Sequence, residues 1–99
     1  MNNVANTAMS GLQTAQLRLN AAANNVANAQ TEGYRRDVVR AEPQAQGSVQ
    51  ARVEKLPEPG SDVTADLVAQ KSATYAFKAN AQMLKTADET LGRLLDTQA

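Results

Sequence analysis

The first 31 residues of this chain carry a single charged side chain, Arg18. Within them Ala5, Ala8, Leu12, Ala15, Leu19, Ala22, Val26 and Ala29 recur in alternating steps of three and four, the spacing of a heptad seam on an α-helix. A solvent-facing amphipathic helix ordinarily carries Lys and Glu on its outer side, whereas this one carries Asn, Gln, Thr and Ser. A polar but uncharged exterior suits a helix surrounded by other helices, where an unpaired charge is costly to bury. A solvated helix of unusual composition is the other reading of the same spacing. The seam is narrow and made largely of alanine. Leu12 and Leu19 supply its large knobs, worth about 1.5–3 kcal/mol each when fully covered, and the alanines let a partner backbone come close.

Asn24, Asn25 and Asn28 end the helix, because their amides compete for nearby backbone groups and tolerate left-handed conformations. Gly33 then supplies a turn position with little steric restriction. From Tyr34 the period changes to two. Tyr34, Arg36, Val38 and Arg40 share one side of a strand, with Arg35, Asp37, Val39 and Ala41 on the other. A second extended run over 48–56 sets Val49, Ala51 and Val53 against Gln50, Arg52 and Glu54. The loop 42–47, with Pro43 and Gly47, reverses the chain between them. The predicted β-hairpin is weakly hydrophobic and must lean on a helix or a neighbouring subunit, since an isolated two-stranded hairpin is marginal. Arg35, Arg36 and Arg40 are interleaved with Glu32, Asp37 and Glu42, which reads as a self-paired strand surface in preference to a phosphate patch.

Pro57, Pro59 and Gly60 break the chain before a second helix capped by Ser61 or Asp62, with Asp62 and Asp66 placed favourably for its macrodipole. Val63, Leu67, Gln70, Thr74, Phe77, Ala81, Leu84, Asp88, Leu91 and Leu95 carry the three-four spacing to the end of the chain. Lys71, Lys78 and Lys85 line a face away from that seam. The predicted fold is mainly α: two long antiparallel helices, about 3–28 and 62–96, forming a coiled-coil-like hairpin with a small β-hairpin or extended connector between them. All of it reads as one domain over 1–99, with an N-terminal helix in 1–29, a connector in 30–60 and a C-terminal helix in 61–99. The second helix outruns the first by about two turns, and both carry alanine beyond the seam. Further helix-binding faces are therefore expected, with stability gained chiefly by packing in an assembly. Whether the helices pair within one subunit or exchange between subunits is open at this point.

Composition removes several functions. Cysteine and histidine are absent, so there is no disulfide framework, no thiolate, and neither the commonest general base nor the commonest metal ligand. Carboxylates such as Asp88 and Glu89 are adjacent on a helix and point apart, with no concave site to shift them. No catalytic residue, metal site or cofactor is expected. Zero net charge argues against a nucleic-acid partner. No apolar run reaches the ~20 residues needed to span a bilayer. The N-terminus lacks the basic start and apolar block of a cleaved secretory signal.

ANNVANAQTEGYRR (23–36), following SGLQTAQLRLN (10–20), resembles the N-terminal signature of bacterial flagellar rod, hook and hook-associated proteins, approximately SGLxAAQxxLdxxsNNIANaNTPGYKR. AFKANAQMLKTADETLGRLLD (76–96) is similar to the C-terminal signature of the same family. The resemblance implies a structural subunit of the flagellar basal body rod, most like a small proximal rod protein. Its terminal helices would line an axial channel, and it would be exported through the flagellar type III apparatus to the periplasmic rod without signal cleavage. The implied partners are other flagellar rod, hook-family or export-gate proteins, with homo-oligomerisation a further option. The implied assembly interface comprises Leu12, Leu19, Phe77, Leu84, Leu91 and Leu95 in the seam, together with Gly33, Tyr34 and the signature asparagines Asn24, Asn25, Asn28 and Asn80. Those amides are expected either to bond between neighbouring subunits or, as local groups, to cap the first helix and solvate Asn80. Glu32 stands where the family commonly has proline, so a looser lead into the strand is expected. A cytoplasmic helical adaptor or export chaperone, or a divergent accessory paralogue of the rod proteins, is the competing reading.

Overall fold

The computed structural model describes residues 2–98. A first helix, α1 (Asn2–Ala27), is followed by strand β1 (Asp37–Pro43), a single 3₁₀ turn (Ala45–Gly47), strand β2 (Val49–Lys55) and a second helix, α2 (Val63–Gln98). The two helices pair antiparallel within the chain. Asn25 of α1 meets Asp66 of α2 at one end, Gly11 faces Asn80 midway, and Val4 lies beside Met83 and Ala87 at the other end. The molecule is elongated, 63 × 24 × 13 Å.

Alanine forms the interface. Ala8, Ala15, Ala21, Ala22 and Ala73 are the buried apolar residues among those described, and no large side chain there is fully buried. Ala8, Ala15 and Ala22 are the heptad row expected of α1. Leu12 and Leu19, expected to fill the seam, flank that row half-buried. Each buried alanine methyl contributes about 0.8 kcal/mol, well short of a covered leucine, so the hairpin gains more from close approach than from volume. At Gly11 a β-carbon would stand 2.4 Å from the Asn80 side-chain oxygen, a separation that only glycine allows.

On α2 the packed row differs from the expected one. The sequence spacing places 67, 74, 81 and 88 in the seam. Instead Asp66 and Ala73 are buried and Asn80 and Ala87 half-buried, while Leu67, Ala81 and Asp88 are exposed. The helix is turned by one residue because an alanine face accepts small or hydrogen-bonding partners. A leucine at 67 would hold the helices apart and leave Asp66 outside. Val63, Phe77, Leu91 and Leu95 are consequently exposed as well, and Leu84 is half-buried.

The hairpin forms as the alternation predicts, with Val39 opposite Val53, Ala41 opposite Ala51 and Pro43 opposite Val49 in an antiparallel register. It folds back along α1, with Ala41 and Val49 lining a crevice against Ala15 and Arg18. The outward face carries ion pairs, Arg40 with Glu54 at 3.3 Å, and Arg52 with Glu42 at 2.8 Å and with Glu54 at 2.7 Å. These surface pairs hold the charge pattern neutral and add little stability each. At the start of α2, Asp62 Oδ1 accepts the Ala65 amide at 3.1 Å, the expected N-cap.

Candidate functional site

The signature segment between α1 and β1 is a sequence of local turns. Asn28 donates its side-chain amide to the Asn24 carbonyl (2.9 Å) and accepts the Thr31 hydroxyl (3.2 Å). Thr31 through Tyr34 then form a β-turn, closed by the Tyr34 amide on the Thr31 carbonyl at 3.3 Å, with Gly33 at φ 76°. A left-handed residue at the third position is the mark of a type II turn, which takes proline at its second position. That second position is Glu32. The turn closes without proline, so the looser lead expected from the substitution is not seen. Tyr34 is half-buried, and Lys55 Nζ lies 4.3 Å above its ring while pairing with Asp37 Oδ1 at 2.9 Å. That hydrogen bond to Asp37 holds the Lys55 ammonium above its ordinary pKa.

At the end of α1 four polar residues lock the three elements together. Asn25 is 3% exposed, and its amide group is fully used within the chain. Nδ2 donates to the Asp37 carbonyl (2.9 Å) and to Asp66 Oδ1 (3.2 Å). Oδ1 accepts the Asp37 amide at 2.7 Å. Asp66, 2% exposed, accepts Arg36 Nε on Oδ2 at 3.2 Å and Arg36 Nη2 on Oδ1. This two-pronged guanidinium contact is the stronger geometry for a carboxylate. It raises the already high Arg36 pKa further, with partial burial pulling the other way. Every buried side-chain polar atom among the described residues has a partner, so the clamp leaves no desolvated group unsatisfied.

The asparagines therefore separate. Asn25 faces inward and is committed within the subunit, which corrects the expectation that its amide reaches a neighbour. Asn28 caps the helix end locally. Asn24 is exposed at that end. Asn80 donates to the Ala76 carbonyl at 2.8 Å and fills the notch over Gly11, a packing role in place of a freely solvated one. Of the remaining expected interface residues, Leu12, Leu19, Tyr34 and Leu84 are half-buried and Gly33, Phe77, Leu91 and Leu95 are exposed.

Three further residues matter that the sequence reading did not single out. Arg36 and Asp66 were read as a strand-surface charge and a macrodipole charge, and both belong to the clamp. Ser10 Oγ accepts the Val49 amide at 3.1 Å while donating to the Thr7 carbonyl at 2.9 Å, tying the far end of the hairpin to α1. Its position at the head of SGLQTAQ is the one sequence signal that could have drawn attention to it.

A family model described as flagella basal body rod protein matches residues 6–35. That span runs from the first turns of α1 through Ser10, Gly11 and Asn25 to the residue before Arg36, and it contains the whole Thr31–Tyr34 turn. It does not include the C-terminal segment 76–96. No curated protein matches the chain.

Proposed function

We propose that this chain, assigned to the flagellar basal body rod family by its N-terminal segment, is a structural subunit of the rod that assembles through its two long helices. The observation that carries the reading is the coincidence of the matched span with α1 and the clamped turn that ends it. An apolar core limited to alanine supports the assembly part. A subunit with so little buried volume gains stability when neighbours cover its remaining apolar surface. Val4, Met9, Leu67, Val68, Tyr75, Phe77, Met83, Leu91, Leu94 and Leu95 are all at least a third exposed, and together they offer that surface. No described helix is long and apolar enough to cross a membrane. Export by the flagellar type III apparatus, without signal cleavage, belongs to the same proposal, as do other rod, hook-family or export-gate proteins as partners.

The test is fractionation of flagellated cells that express an epitope-tagged copy. Recovery in detergent-purified basal bodies is the expected result. Confinement to the cytoplasm would point instead to a helical adaptor or export chaperone.

A further inference from the structure

The inter-helix seam is unfinished at one end. Val4 shares a shallow groove with Met83, Ala87 and Thr90, so the last turns of α2 run past the beginning of α1. There Leu91, Leu94 and Leu95, exposed by 44%, 52% and 62%, continue the face that α1 covers lower down. At the opposite end of the same helix Val63, Leu67 and Val68 are exposed by 38%, 51% and 63%. The two patches are in phase. Val63 and Leu91, and likewise Leu67 and Leu95, are 28 residues apart, four whole heptads, so each pair falls on the same stripe of a supercoiled helix. Between the patches the stripe is interrupted by Gln70, Thr74 and Asp88, and those residues discourage full-length pairing of two α2 helices.

We propose that α2 carries a head-to-tail docking surface for a second copy of this chain, in which Val63 and Leu67 of one copy pack against Leu91 and Leu95 of another, the helices running parallel. This rests on the rod reading and specifies one contact within it. The occupant is a second copy because the matching patch, in the same heptad phase, is supplied by the chain itself at its other end. The stagger is about 42 Å at 1.5 Å per residue. A contact between two different patches of one molecule does not close on itself and generates an open array. The overlap is about two turns, which lies below the size of stable interfaces, so the pairing is weak in dilute solution and gains strength only in an array.

The chain has no cysteine, which allows direct trapping. Purified full-length Leu67→Cys and Leu95→Cys chains, mixed at high concentration and oxidised, are expected to form the mixed disulfide. A chain bearing both substitutions gives a ladder of covalent oligomers. Adding Leu91→Asp to that chain abolishes the ladder without changing its far-ultraviolet circular dichroism. Leu95→Cys or Leu67→Cys chains that dimerise alone as fast as the mixture would reveal a symmetric contact and overturn the proposal. So would a mixture reacting no faster than Leu67→Cys with Glu89→Cys, a pair out of phase. Because the readout uses purified copies, these outcomes leave the basal body recovery above as a separate test of the rod reading.

Discussion

Replacing Arg36 with alanine removes both guanidinium bonds from a carboxylate that is 2% exposed. Breaking a buried ion pair from one side costs about 3–5 kcal/mol, because the remaining charge is left without compensation. Two features place this site at the lower end. The Arg36 side chain is 19% exposed, so water can reach part of the space it vacates. Asn25 also continues to donate to Asp66 Oδ1. A loss of about 3 kcal/mol follows. In a domain near this size that lowers the melting temperature by roughly 12–24 °C. The assay is thermal unfolding of the isolated chain followed by circular dichroism, compared with Asp66→Asn and with the double change Arg36→Met and Asp66→Leu. The double variant should recover much of the loss, since apolar groups of similar volume replace a buried pair at little net cost. An Arg36→Ala protein that melts within a degree or two of the parent would refute the clamp as the element joining α1, β1 and α2.

Glu32→Pro should stabilise the chain by about 0.4–1 kcal/mol, because the residue occupies a turn position suited to proline and the unfolded chain loses freedom; a denaturant midpoint moved downward would contradict the type II turn. Gly11→Ala should destabilise through its clash with Asn80 while Gly11→Ala with Asn80→Ala should be milder, so a double-mutant cycle in urea is expected to show coupling of at least about 0.5 kcal/mol. Ser10→Ala leaves the Val49 amide without its acceptor and should cost about 1 kcal/mol, with faster hydrogen exchange at Val49 as its local signature. Hydrogen bonds from Arg52, and then from Arg40, hold the Glu54 carboxylate below the usual glutamate pKa. The stabilisation it provides is present above the unfolded value and is lost as pH falls through the folded one. Titration of the Glu54 carboxyl carbon by nuclear magnetic resonance should show the low midpoint, and Arg52→Gln should move it upward.

The parts of this fold legible in the sequence are those set by neighbours along the chain. The three-four spacing and the asparagine cluster place the end of α1 within a residue or so. The change of period at Tyr34, with Pro43 and Gly47, gives the hairpin and the face of each strand. Asp62 before Val63 gives the start of α2. The row by which α2 packs was not legible, because spacing favours the leucines at 67 and 95. The choice is made by what α1 presents, an alanine surface with a glycine notch for Asn80 and a buried amide at Asn25 that requires an acceptor. The clamp is hidden for the same reason. Its bonds join residues 41 and 30 positions apart, and nothing local distinguishes Asp66 from an ordinary first-turn acid or Arg36 from its neighbours Arg35 and Arg40. Asn25 shows the consequence most clearly. An asparagine in a family signature invites an intersubunit role, and its surroundings commit it within its own chain.

The reading as a rod subunit is tested most directly by electron cryo-microscopy of basal bodies from cells in which the chain carries a small tag inserted in the exposed segment 57–60. Density in the rod that takes an antiparallel pair of helices of 26 and 36 residues, with the tag beside the Thr31–Tyr34 turn, is the expected result. A complete rod with no tagged density, from cells shown to make the protein, would contradict it.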